Sequence, residues 1–103
     1  KSIKIGDRVA IGEQVSIRDQ QHIHTIGKGV RDQGFEVAPV MIGANTWIGR
    51  GVFIGPGTRI GKDCIVAANS VVHGEFPDGV LIAGAPAKVR KSLSDKTEAK
   101  TDG

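Results

Sequence analysis

From Ile5 onward an isoleucine or valine returns every sixth residue: Ile5, Ile11 and Ile17, then Ile42, Ile48, Ile54, Ile60, Val66 and Val72. Glycine usually follows it, as Gly6, Gly12, Gly43, Gly49, Gly55 and Gly61. The fifth position of each repeat is small or β-branched: Val9, Val15, Thr46, Val52, Thr58, Cys64 and Ser70. An amphipathic helix needs spacings of three and four, and an amphipathic strand needs strict alternation. A period of six with β-branched residues at position one predicts short strands, each followed by a turn. Glycine at position two is expected to take backbone conformations that other residues avoid. Three such units close a triangular coil of about 18 residues, giving a parallel β-helix. Position one then stacks inside the prism on its equivalent one coil away, at about the strand spacing of 4.8 Å.

The rhythm divides the chain. Residues 3–22 make about one coil, and residues 42–77 make two more. Between them residues 24–40 break the register and are expected to be an inserted loop, of a length that is usually functional or disordered. Gly84-Ala85-Pro86-Ala87-Lys88 closes the ordered part, so residues 1–91 form one β-helix domain and 92–103 a polar tail, disordered or a frayed helix. Three coils are few for a solenoid whose ends need covering. The chain also starts Lys1-Ser2 without Met. Either the chain is a C-terminal portion of something longer or oligomerisation supplies the missing burial; both further N-terminal coils and a trimer are expected.

Composition changes this picture little. Glycine is the outlier, at 15 of 103 residues, and its even spacing rules against a flexible linker. The net charge of +3 comes with three Phe, one Trp and no Tyr, which offers little for base stacking; nucleic acid is not an expected partner. Lys88, Arg90 and Lys91 concentrate the excess near the C-terminal end, where a small phosphorylated ligand fits as well. No apolar run reaches the roughly 18 residues of a membrane span. The single cysteine, Cys64, cannot form an internal disulfide and suits a reducing, cytoplasmic setting. Its inward slot makes it a core residue, not a nucleophile.

The ten or so repeats between Ile3 and Lys91 resemble those of the hexapeptide-repeat acyltransferases, whose fold is a left-handed parallel β-helix. Ser16-Ile17-Arg18-Asp19-Gln20-Gln21-His22 looks like the sugar O-acetyltransferases of surface-polysaccharide pathways, with Gln20 where a histidine is frequent. Arg31-Asp32-Gln33-Gly34-Phe35 is similar to the same subgroup. The order of His22, a loop, then Met41-Ile42-Gly43 and Trp47-Ile48-Gly49 matches the family's order around its catalytic histidine. The resemblance implies an acetyl-CoA-dependent transfer to a sugar hydroxyl, in a homotrimer with active sites between neighbouring prisms and without a metal.

It further implies His22 as the general base, with Asp19 or His24 in support. Trp47 and Asn45 would lie near the pantetheine arm or the acceptor, Asn45 and Arg50 flanking one edge. Coenzyme A would run along Gly49, Arg50, Ala67 and Ala68 to phosphate contacts at Lys88, Arg90 and Lys91. Imidazole suits the task because its unperturbed pKa of about 6.5 allows proton uptake near neutrality. Bland readings stand beside these. Asp19 fits a turn, Trp47 an interface, and the three basic residues a solvated tail. A serine, an antibiotic or an amino sugar are alternative acceptors. Other classes are a non-catalytic trimerisation module and the zinc carbonic anhydrase built on this coil, for which His22, His24 and His73 would have to converge.

Overall fold

The structure, a computed structural model, describes residues 2–22 and 35–93. Residues 94–103 of the expected tail and the tip of the insertion, with His24, lie outside the described residues; Ser92, expected in the tail, is the last residue of a strand. Every described element is a strand. Three stacks form the faces of a prism, and the chain is a left-handed parallel β-helix. The first face holds β1 (Ile3–Ile5), β6 (Val40–Ile42), β9 (Arg59–Ile60) and β12 (Glu75–Phe76). The second holds β2 (Ala10–Ile11), β7 (Trp47–Ile48), β10 (Ile65–Val66), β13 (Val80–Gly84) and β14 (Ala87–Ser92). The third holds β3 (Ser16–Ile17), β8 (Phe53–Ile54) and β11 (Val71–Val72).

The register follows the period of six. Ile5, Ile42 and Ile60 stack on the first face, Ile11, Ile48, Val66 and Ile82 on the second, and Ile17, Ile54 and Val72 on the third. From Ile42 to Ile82 these side chains are buried, together with Val40, Val52, Cys64 and Val80. At position five the polar members are buried too, and each finds a backbone partner. The hydroxyls of Thr46, Thr58 and Ser70 donate to Gly61 O (2.9 Å), Gly55 O (2.7 Å) and Ala67 O (2.8 Å). Among the described residues no buried side-chain polar atom lacks a partner, as a dry core requires. The Cys64 thiol donates to Pro77 O (3.2 Å), and burial pushes its pKa up. It is the inward core residue that its position in the repeat predicts.

Two expectations are corrected. Position two is not glycine for the sake of an unusual backbone: at Gly6, Gly12, Gly43, Gly49 and Gly61 it is glycine because the next coil passes too close, Gly55 alone among these six leaving ordinary room for a Cβ. A Cβ on Gly43 would lie 2.5 Å from Lys62 N, and one on Gly49 2.8 Å from Ala68 N. The left-handed conformation falls instead at position four, in Arg8, Gln14, Asn45, Asp63 and Asn69 and in Gly51 and Gly57, where each coil turns its corner. The excursion also begins and ends earlier than the span 24–40. Phe35–Val37 form β5, paired antiparallel with β4 (Gln20–His22), and Val40 is already a buried position-five residue of the prism.

The prism is well closed in the middle and open at one end. Ile3, Ile5 and Ile11, the inward residues of the first coil, are 41%, 44% and 43% exposed. At the other end β14 turns back antiparallel on β13 and covers the last coil.

Candidate functional site

Three edges separate the faces, and the residues singled out above distribute over all three. On the first edge, between the first and second faces, Asn45 and Asp63 sit one coil apart, both left-handed. The Asn45 amide donates to Asp63 Oδ1 (2.8 Å), so its side chain is engaged in tying corner to corner. Trp47 follows on the second face, 56% exposed, in a row with Ala10, Ile65 and Leu81. A groove of about 430 Å³ runs beside it, lined by Asn45, Asp63, Ile65 and Leu93 among others.

Arg50 lies on the second edge, at the far end of the same strand. Asn45 and Arg50 thus flank opposite edges of one face, not one edge, because the two-residue strand β7 separates their corners. Arg50 keeps company with Gly49, Ala67 and Ala68. Gly49 N donates to Val66 O (2.9 Å), Ala67 N to Ile82 O (2.9 Å), and Arg50 O accepts from Asn69 N (2.8 Å). Ala68 is exposed and Ala67 half-buried, so beside the exposed Arg50 and Asn69 this edge presents backbone with only methyl groups above it at Ala67 and Ala68. An elongated ligand can approach such an edge closely. Lys88, Arg90 and Lys91 are exposed on β14, which begins beside this edge, and Arg90 Nε donates to Ala83 O (3.0 Å). Gly49, Arg50, Ala67, Ala68 and Lys88 therefore follow one another along a single line, as a ligand running along the prism axis would need.

His22 belongs to the third edge. The chain leaves the prism after Ile17, passes the bend at Asp19 and forms β4, whose last residue is His22, opposite Phe35 of β5. Asp19 is a half-buried corner residue whose carbonyl accepts from Ala38 N (2.9 Å), closing the base of the hairpin. In the next coil Gly55, Pro56 and Gly57 occupy this edge, and in the one after it His73 does. The side chains of Phe53 and His73 converge over Gly55: a Cβ there would meet a Phe53 ring carbon at 3.4 Å and His73 Cδ2 at 3.6 Å. Sequence reasoning gave Pro56 no role. Its signal was the triplet Gly55-Pro56-Gly57, the one repeat with proline between its two glycines.

Within one chain, then, Gly49, Arg50, Ala67 and Ala68 stand on a different edge from His22, with the third face between them. Among the described residues no three His, Cys, Asp or Glu side chains gather as a metal site, and none forms a helix long and apolar enough to cross a membrane.

The comparisons with known proteins agree with a prism of six-residue repeats. Residues 39–74 match the bacterial transferase hexapeptide, six repeats. A Saccharomyces cerevisiae protein whose acetyltransferase assignment is provisional is 43% identical over 102 residues, 94% of this chain and 52% of that protein. The galactoside O-acetyltransferase of Escherichia coli K12 is 34% identical over 97 residues, 92% of this chain and 46% of its own length. A solved galactoside acetyltransferase in complex with coenzyme A superimposes with a TM-score of 0.84 at 31% identity, over 93% of this chain and 48% of that one. The chain is a hexapeptide-repeat protein with the sequence and fold of the acetyltransferases of that class. It spans about half the length of these relatives.

Proposed function

We propose that the protein transfers the acetyl group of acetyl-CoA to a hydroxyl of a sugar or surface-polysaccharide precursor, with His22 as general base. The observation that carries this reading is the likeness, over nearly all of this chain, to a galactoside acetyltransferase in complex with coenzyme A. It is joined by the position of His22 at the end of a hairpin that leaves the prism at one corner. The galactoside O-acetyltransferase of E. coli supports a hydroxyl over an amine as acceptor.

In this reading the His22 imidazole takes the acceptor hydroxyl's proton as its oxygen attacks the thioester carbonyl. The C–O bond forms, and the tetrahedral oxyanion is held by backbone N–H groups. Collapse breaks the C–S bond, and the departing thiolate takes the proton back from the imidazole. No acyl-enzyme is needed, and Cys64, buried and held as a neutral thiol, takes no part. The donor lies along Gly49, Arg50, Ala67 and Ala68 with its phosphates near Lys88, Arg90 and Lys91. Because this edge and the hairpin are separated within one chain, the site is assembled between chains of a homotrimer. Trp47, largely exposed on the face beside the donor edge, then covers either the bound ligand or the neighbouring chain.

The test is coenzyme A release from acetyl-CoA across a panel of sugar and amino acceptors, for the wild type and for His22→Ala. The reading expects release with a sugar acceptor that disappears in the variant. Release that survives in His22→Ala assigns the base elsewhere. Release with amines alone moves the acceptor to an amino sugar, which the similarity of 64 residues to a tetrahydropyridine-dicarboxylate N-acetyltransferase keeps as the second reading.

A further inference from the structure

We infer that the turn Gly55-Pro56-Gly57-Thr58 is a pedestal for the hairpin that ends at His22, with Ala38 as the positioning residue between the two. The inference rests on His22 being the base proposed above. Its starting point is a break in the burial pattern. The third position of each repeat is the outermost point of a corner. Arg50, Lys62 and Ala68 are exposed there, and Ala44 and Gly74 are half-buried. Pro56 is fully buried, and among these corner residues it stands alone in that. The base of the insertion meets this corner at Gly57, where the chain re-enters at Ala38.

Two backbone hydrogen bonds join the parts. Ala38 N donates to Asp19 O (2.9 Å), and Gly57 N donates to Ala38 O (3.2 Å). Ala38 is thus bonded both to the root of the hairpin and to the next coil. Its methyl lies 3.4 Å from where a Cβ on Gly57 would stand, so the two backbones meet with one methyl between them. The turn beneath is stiff for reasons in its own sequence. Proline fixes φ at position 56. Gly57 sits at φ +81°, a conformation that favours glycine. The Thr58 hydroxyl and amide both donate to Gly55 O, at 2.7 and 3.3 Å, locking the turn from inside. A flexible corner would serve a solvent-facing loop as well. A rigid, buried one with a size-limited contact serves a strand whose end must stay in place. His22 is only three residues from Asp19, so a shift at the root carries to the base.

The experiment substitutes Ala38 with leucine as a wedge and with serine as a size-matched control, and compares kcat, the KM for acetyl-CoA and amide exchange. The pedestal predicts that Ala38→Leu lowers kcat by about tenfold to a hundredfold, the scale of a misplacement of about 1 Å. The KM for acetyl-CoA stays within about twofold, since the donor edge lies elsewhere, and Ala38→Ser behaves as wild type. The pH dependence of the rate keeps its inflection because the base is unchanged. Wild-type kcat in Ala38→Leu overturns the inference, and so does a raised KM with unchanged kcat. If the wild type itself transfers no acetyl group, the reading of His22 fails separately, and exchange decides the pedestal. Slow exchange at the Ala38 and Gly57 amides, lost in Ala38→Leu while the Ile60 amide stays protected, upholds it. Fast exchange at both amides in the wild type overturns it.

Discussion

The second and third edges of the prism are built from the same repeat and end as different objects. On the second edge the corners are Gly49-Arg50-Gly51 and Ala67-Ala68-Asn69, stacked in register, with small residues at Gly49, Ala67 and Ala68 beside the exposed Arg50 and Asn69. On the third edge the first coil opens into the β4–β5 hairpin, the next coil answers with a buried proline, and the following one carries His73. One edge is a regular surface along which an extended ligand can lie. The other is a place where the repeat is interrupted so that the chain can present residues away from the axis. Interrupting a solenoid costs little if the break falls at a corner, because the inward positions on either side, Ile17 and Val40, keep their places in the stack.

The comparison can be broken at several points, the largest first. Removing the base should abolish function without touching the fold: His22→Ala should lower acetyl transfer by about 10² to 10⁴, with an unchanged melting temperature. Equal loss from a substitution at Arg18 or Gln20 would argue that the hairpin, not the imidazole, is what matters. Within the regular part the penalty is in stability. Ile54→Ala empties a fully buried position in the third-face stack and should cost about 2–5 kcal/mol, read from chemical denaturation. Gly43→Ala should cost about 1–3 kcal/mol, since its Cβ would press on Gly61 and Lys62 backbone atoms that cannot move aside. Gly57 sharpens the contrast: its substitution strains φ more than it crowds space, so Gly57→Ala should cost roughly 1 kcal/mol.

The basic residues of β14 should give smaller effects. They are exposed, so Lys88→Ala or Lys91→Ala should raise the KM for acetyl-CoA a few-fold, an effect that shrinks as salt rises. The smallest effect concerns Cys64. Burial raises its pKa in the folded chain above the ordinary value of 9.0. Its contribution is fully present below that value and is lost as pH climbs from there through the folded pKa, because only the unfolded chain ionises freely. Denaturant midpoints between pH 8 and 10.5 should fall more for the wild type than for Cys64→Ala.

What the sequence made legible follows from what repeats. The period of six identifies Ile42 through Val72 as inward residues, and the buried stack agrees. It identifies Cys64 as core, but it puts the point of departure after His22, whereas Gln20–His22 already belong to the hairpin. What it hid was non-periodic or local. The antiparallel pairing of Phe35–Val37 with Gln20–His22 depends on partners thirteen to seventeen residues apart, with no pattern linking them. The left-handed corners had a signal in the recurrence of Asn, Asp and Gly at position four, at Asn45, Gly51, Gly57, Asp63 and Asn69. The more conspicuous glycines at position two drew the conformational explanation that belonged there. The side of the prism occupied by Asn45 as against Arg50 required the corners to be counted in space.

The central claim is that the hairpin edge of one chain and the backbone edge of another complete a single site. Co-expression of His22→Ala with Ala68→Trp tests it directly, because each chain alone lacks one half. In a randomly mixed cyclic trimer about one interface in four pairs an intact hairpin with an intact donor edge. The account therefore predicts that two inactive variants recover about a quarter of wild-type activity when mixed. Mixed assemblies that stay as inactive as their parents would contradict it, and would return the whole site to a single chain.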